Sequence, residues 1–195
     1  MFGLQKTRRL IPTGWSISAT DDIISKKLIS SIGIYPSIDS FEIYKCAHLG
    51  NHYSIILIPD KIWSFEVQEG WLDPNGNLGI GADFESPQGL DHYPSIAGAY
   101  FAARLSVAEY LFKKRKKASV LILREIHPEY FVSLGVWQVR KEIRACLNSK
   151  GKTFESFDSA LKYAISKTSL SKVEWIKSSS IIRNKKQKRM SDYLN

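Results

Sequence analysis

The chain has 195 residues, 44% hydrophobic and 24% charged, which is the length of one domain and the composition of an ordinary globular protein able to hold its core without staples. Its two cysteines, Cys46 and Cys146, form neither a disulfide framework nor a metal-type pair and are expected as reduced, buried thiols. No run approaches the ~20 apolar residues that cross a bilayer, and the N-terminus lacks the apolar segment of a secretory signal, so a cytoplasmic protein with no membrane partner is expected.

The net charge of +9 is unevenly placed: residues 172–195 hold seven Lys/Arg against two acids, leaving the remaining 171 residues a surplus of only four. A mildly basic body with a strongly basic tail suits a polyanionic partner, nucleic acid above all, although for the body alone solubility is the better account of the charge.

In chain order, Thr20 followed by Asp21, Asp22 and the apolar Ile23, Ile24, Leu28 and Ile29 predicts a capped helix start with acids in its first turn. Three β-like runs follow at 41–48, 53–58 and 62–67, separated by short turns that predict an antiparallel meander. Residues 72–94, with Gly76, Gly79, Gly81 and Gly89, show no period and read as a long functional loop. Ser95 is expected to cap a helix carrying Ile96, Ala99, Tyr100, Ala103, Val107, Tyr110 and Leu111 at helical spacing. That helix ends in the basic run 113–117, which fits a solvated helix end and a phosphate patch equally. The continuously apolar segment 118–126 predicts a strand covered on both faces. Helices are expected over 134–148, burying Val136, Val139, Ile143 and Leu147, and over 157–166, after which the pattern fades. The expected fold is therefore α+β, a single domain over 1–171 with a mixed, partly antiparallel sheet packed by helices, followed by a flexible basic tail over 172–195.

The densest polar stretch, residues 124–144, runs from a strand end through a loop into a helix, where α/β proteins commonly bind ligands. Trp137, Arg140 and Arg144 lie three and four residues apart, and an aromatic flanked by arginines suits a stacked base with its phosphates held. Arg124 and His127 complete this candidate nucleic-acid set; a surface helix with a half-buried Trp is the plainer alternative. Candidate catalytic side chains, Asp83, Glu85, Asp91, His92, His127 and Glu129, show no recognised ligand spacing. No catalytic residue, metal ligand or cofactor is assigned, and whether the chain is an enzyme stays open; a clamp-recruited, metal-dependent hydrolase acting on DNA or a nucleotide, centred on the His127 loop, is the rival reading.

The last residues fit a further pattern: Gln187, two residues, Met190, two residues, then Tyr193 and Leu194. A short helical turn puts Met190, Tyr193 and Leu194 on one side as an apolar plug for a groove. The pattern resembles the PIP box with which replication and repair proteins dock on the sliding clamp PCNA, with Leu194 standing where many such peptides carry a second aromatic.

Arg124-Glu-Ile-His-Pro-Glu-Tyr130 followed by Leu134-Gly-Val-Trp-Gln-Val-Arg140 resembles the signature of the archaeal Nre (NreA-type) DNA repair family. The blocks Leu10-Ile-Pro-Thr13, Trp15-Ser-Ile17, Asp21-Asp22 and Ala103–Leu111 are similar to further parts of it, so the resemblance spans residues 8–147. It implies a DNA repair accessory factor recruited by PCNA through a C-terminal peptide, while the small charge surplus of the body predicts weak, salt-sensitive DNA binding. Gly14 stands where the family implies an arginine. The resemblance also implies a preceding, cysteine-bearing N-terminal portion that is absent from this chain.

Overall fold

The computed structural model describes residues 13–186 apart from 74, 76, 77, 91 and 131–133. In chain order these form α1 (Thr13–Ile32), β1 (Phe41–His48), β2 (Asn51–Ile58), β3 (Phe65–Leu72), β4 (Leu78–Glu85), α2 (Gly98–Lys114), β5 (Ser119–Ile126), α3 (Gly135–Leu147), β6 (Lys152–Phe154), α4 (Phe157–Ala164), α5 (Lys172–Ser178) and α6 (Ser180–Lys186). The strands make one six-stranded sheet in the order β4-β3-β5-β2-β1-β6.

The period of two along each strand divides the molecule into layers. On β5, Val120 and Ile122 face one core, shared with Ile32 of α1, Tyr100 and Val107 of α2, and Val139 and Ile143 of α3. Leu121 and Leu123 face a second core, made with Leu161 of α4, Trp175 of α5 and Ile182 of α6. Three helices therefore cover each face, and β5 is buried on both, as its unbroken apolar run requires. The α+β class and the mixed sheet hold: β3 runs parallel to β5, and all other neighbours are antiparallel.

Four local expectations are corrected. The predicted meander is broken because β5 inserts between β2 and β3, where its apolar residues gain cover on two sides. Residues 72–94 contain the edge strand β4; its glycines hid the period because they make room for Trp71, and a Cβ on Gly81 would stand 2.8 Å from Trp71 Cη2. Helix α1 starts seven residues before Thr20, whose hydroxyl donates to the Ser16 carbonyl at 2.8 Å instead of capping. Ser95 does not cap α2 either, since its amide and hydroxyl both donate to Asp83 at 2.9 and 3.0 Å and the helix begins at Gly98.

Residues 172–186 are folded rather than part of a tail. A Ser171/Glu174 capping box starts α5, and Trp175 and Ile182 are fully buried. Buried Glu66 on β3 accepts from Ser179 Oγ (3.0 Å), Ser180 N (3.0 Å) and Ile181 N (2.7 Å), satisfying the start of α6. Burial pushes the Glu66 carboxyl above its ordinary range, against the downward pull of those donors. The clamp-type residues Gln187, Met190, Tyr193 and Leu194 lie outside the described residues. Both cysteines are free; Cys146 is buried and Cys46 half-buried, and the neighbouring Cys46 together with burial pushes the Cys146 thiol up. Among the described residues no helix is long and apolar enough to cross a membrane.

Candidate nucleic-acid interface

The helical layer α1–α3 is braced by charge rather than by apolar packing alone. Arg104, fully buried on α2, donates to Glu85 of β4 at 2.8 Å, to Ser25 Oγ at 3.1 Å and to Asp22 of α1. Tyr100 donates to the same Glu85 oxygen at 2.5 Å. Burial disfavours the guanidinium, but Glu85, Tyr100 and Asp22 together outweigh that loss and hold Arg104 charged; burial and the Glu85 carboxylate push the Tyr100 phenol up. Asp21, the neighbour of Asp22, pairs with Arg140 of α3, and Glu109 of α2 pairs with Arg144 at 2.7 Å. Three ion pairs thus join the sequence blocks around Asp21, Arg104 and Arg140. The helices converge at Gly98, where a Cβ would fall 2.5 Å from Val136 Cγ1 and 3.0 Å from Ser18 Oγ.

Between α1 and the loop entering α2 lies a groove of about 590 Å³ lined by Trp15, Ser18, Ala19, Asp22, Tyr93 and Phe101, within the size range of small-ligand sites. Trp15 and Tyr93 are 68% and 65% exposed. The loop bearing Tyr93 is fixed by Asp83, which also accepts from Ile96 N at 2.8 Å, and Tyr93 rests on Phe101 with ring centroids 5.8 Å apart. Trp15, Ser18, Ala19 and Asp22 follow the i, i+3, i+4, i+7 spacing of one helix stripe. Starting the helix at Thr20 concealed that stripe, so sequence reasoning missed this groove.

The sequence-selected residues are only partly brought together. Arg124 is buried, donating to Asn51 Oδ1 at 2.9 Å and to Glu69 at 2.5 Å; burial works against its charge, and Tyr53 and Glu69 restore it. His127 Nε2 stands 2.8 Å from Glu125 Oε1, and its ring lies 4.4 Å from that of His52. Glu125 also accepts from the Ser169 amide at 2.9 Å, on the α4–α6 side of the sheet. Arg140 and Arg144 are occupied by Asp21 and Glu109. Trp137 is 57% exposed, with the Lys141 ammonium 5.0 Å from its ring centroid. The basic run is largely engaged: Lys114 bonds Glu42 at 2.6 Å, Lys116 lies 3.3 Å from Asp39, and Lys117 donates to the Gly33 carbonyl at 3.1 Å.

The candidate catalytic side chains do not gather. Asp83 and Glu85 face α2, with His92 Nε2 3.7 Å from Asp83, whereas His127 is tied to Glu125 at the far end of β5. Asp91 lies outside the described residues, and among those described no group of three or more His, Cys, Asp or Glu is placed to hold a metal.

Residues 85–193 match the family model described as "Archaeal Nre, C-terminal", and residues 1–75 match "Archaeal Nre, N-terminal". Parts of both family regions are therefore matched. "DNA repair protein NreA" of Archaeoglobus fulgidus is 41% identical over 169 residues, covering 84% of this chain and 43% of that protein. "DNA repair protein NreB" of the same organism is 32% identical over 192 residues, 96% of this chain and 49% of that protein. "DNA repair protein NreA" of Haloferax volcanii is 35% identical over 168 residues, 82% of this chain and 40% of that protein. The chain thus spans less than half the length of each of these relatives. No solved structure matches. With more than half of its residues matched by the C-terminal family model alone, the chain belongs to the archaeal Nre family.

Proposed function

We propose that this protein is a cytoplasmic DNA repair factor, brought to DNA by the sliding clamp PCNA through Gln187, Met190, Tyr193 and Leu194. The observation that carries this reading is the alignment of relatives named DNA repair proteins over 82% to 96% of the chain. The clamp-type peptide begins one residue after Lys186, the last residue of α6. Direct DNA contact falls to the α1–α3 layer, where exposed Trp137 and Lys141 offer a ring and a cation. With a charge surplus of only four outside residues 172–195, that contact is weak and salt-sensitive. Nothing favours a hydrolase centred on His127: Glu125 beside it accepts from the Ser169 and Leu170 amides, and among the described residues no group of three or more His, Cys, Asp or Glu is placed to hold a metal.

Titration calorimetry of the whole chain with an archaeal sliding clamp tests the recruitment. Replacing both Tyr193 and Leu194 by alanine is expected to weaken binding by roughly a hundred-fold, because buried aromatic and aliphatic anchors dominate such interfaces. Unchanged affinity sinks the clamp reading.

A further inference from the structure

The groove between α1 and the Tyr93 loop is built from two chemistries. Trp15 and Tyr93 present large, solvent-facing rings, while Phe101, 9% exposed, closes the floor. The polar wall is chiefly Asp22, whose carboxylate is held from behind by the buried Arg104 and at its rim by Lys26 at 2.8 Å. A purely apolar occupant would cover that carboxylate without replacing its water, which costs free energy. An ammonium ligand fits aromatic rings, but the negative charge of Asp22 is already offset by one guanidinium and one ammonium. What Asp22 retains are acceptor lone pairs, because a carboxylate has about four acceptor sites and these partners use only some of them. The occupant that matches is flat, uncharged and rich in N–H donors, and it comes to a chain of net charge +9.

We infer that this groove receives a single unpaired nucleobase of a DNA strand, stacked against Trp15 and Tyr93 with its N–H edge on Asp22. The inference rests on the DNA reading above and adds a site and a base preference to it. Sequence-tolerant stacking comes from the rings; discrimination comes from the carboxylate. Guanine alone among the four bases offers two adjacent N–H groups, N1–H and the N2 amino group, on one edge. Adenine, cytosine and thymine set a single donor group beside an acceptor that Asp22 repels, so guanine is the preferred base.

The test uses the full chain and fluorescence anisotropy with two labelled pentanucleotides at low salt, all-thymidine and thymidine with one central guanine. The guanine probe is expected to bind roughly five-fold or more tighter, the discrimination of a paired donor–acceptor contact. Trp15→Ala and Tyr93→Ala each weaken it by roughly five- to a hundred-fold, as loss of a stacking ring does, while Trp15→Phe retains most of the affinity. Both rings are exposed, so these variants keep the fold, checked by thermal melting; Val173→Ala on α5, across the sheet, serves as the control. Asp22→Asn, which keeps an acceptor for Arg104 but places a donor beside the base, removes the guanine preference while thymidine binding persists. Equal binding of the guanine probe by wild type and both alanine variants overturns the groove and leaves the DNA reading standing. Absence of any pentanucleotide binding by the wild type overturns both the groove and direct DNA contact, with clamp recruitment judged separately by calorimetry. Displacement of the probe by choline identifies an ammonium cage and overturns the nucleobase assignment.

Discussion

Deleting the Arg104 side chain would leave Glu85, which is buried, and Asp22, which is partly so, without their shared cation. Breaking a buried ion pair from one side costs roughly 3–5 kcal/mol, because the orphaned charge stays desolvated. Arg104→Met is therefore expected to lower stability by about that amount in urea unfolding, and adding Glu85→Gln is expected to recover part of the loss. Equal destabilisation by the single and double variants would show that Arg104 acts through packing alone. Glu66 supplies a second test through pH. Its carboxyl is raised by burial, so the folded state binds this proton more tightly than the unfolded chain does. The contribution is fully present below the ordinary glutamate value of 4.5 and is lost as pH rises through the folded-state value. Glu66→Gln is thus expected to flatten the fall in urea midpoint on going from acid toward neutral pH. A pH profile identical to wild type would mean that Glu66 does not titrate across folding.

At the scale of elements, α6 is the segment whose role changes most once its packing is known. Ile182 is fully buried in the core shared with Leu121 and Trp175, so Ile182→Ala is expected to cost roughly 2–5 kcal/mol. Amide exchange should show protection through residues 173–184, and rapid exchange there would contradict the docked helices. These two short helices were illegible because a seven-residue helix has no room for an apolar period, and their Lys and Ser content reads as solvated chain. Longer elements gave themselves away: α3 and β5 fall within a residue or two of the expected bounds because their apolar residues repeat over enough positions to define a face. At the site, Trp137 was legible as an exposed aromatic, whereas the partners of Arg140 and Arg144 were not. Asp21 and Glu109 are 119 and 35 residues away, and nothing local announces such pairs. The stripe of Trp15 and Asp22 was lost for a different reason: Asp21 and Asp22 look like first-turn acids, yet they sit mid-helix because tertiary arginines hold them there.

Across the whole molecule, the sheet separates two surfaces that the proposed function uses together. The aromatic groove and Trp137 belong to the α1–α3 layer, whereas α6, which leads into Gln187, belongs to the layer on the opposite face. Lys185 of α6 is anchored to Asp60 at 2.8 Å, so the clamp-type peptide departs from a point tied to the folded body. The motif begins at Gln187, the residue after α6, so no linker stands between it and the folded body to carry the peptide around the sheet edge to the groove. Clamp and oligonucleotide are accordingly expected to bind at the same time. In calorimetry, clamp affinity measured with a saturating pentanucleotide should match that without it to within roughly a factor of two, since no coupling free energy links sites that share neither residues nor a moving element. Mutual exclusion would place the DNA contact beside α6 instead, on the basic residues of 172–189. The Trp15→Ala variant separates the two arrangements, because it removes the ligand from the groove and leaves that basic surface intact.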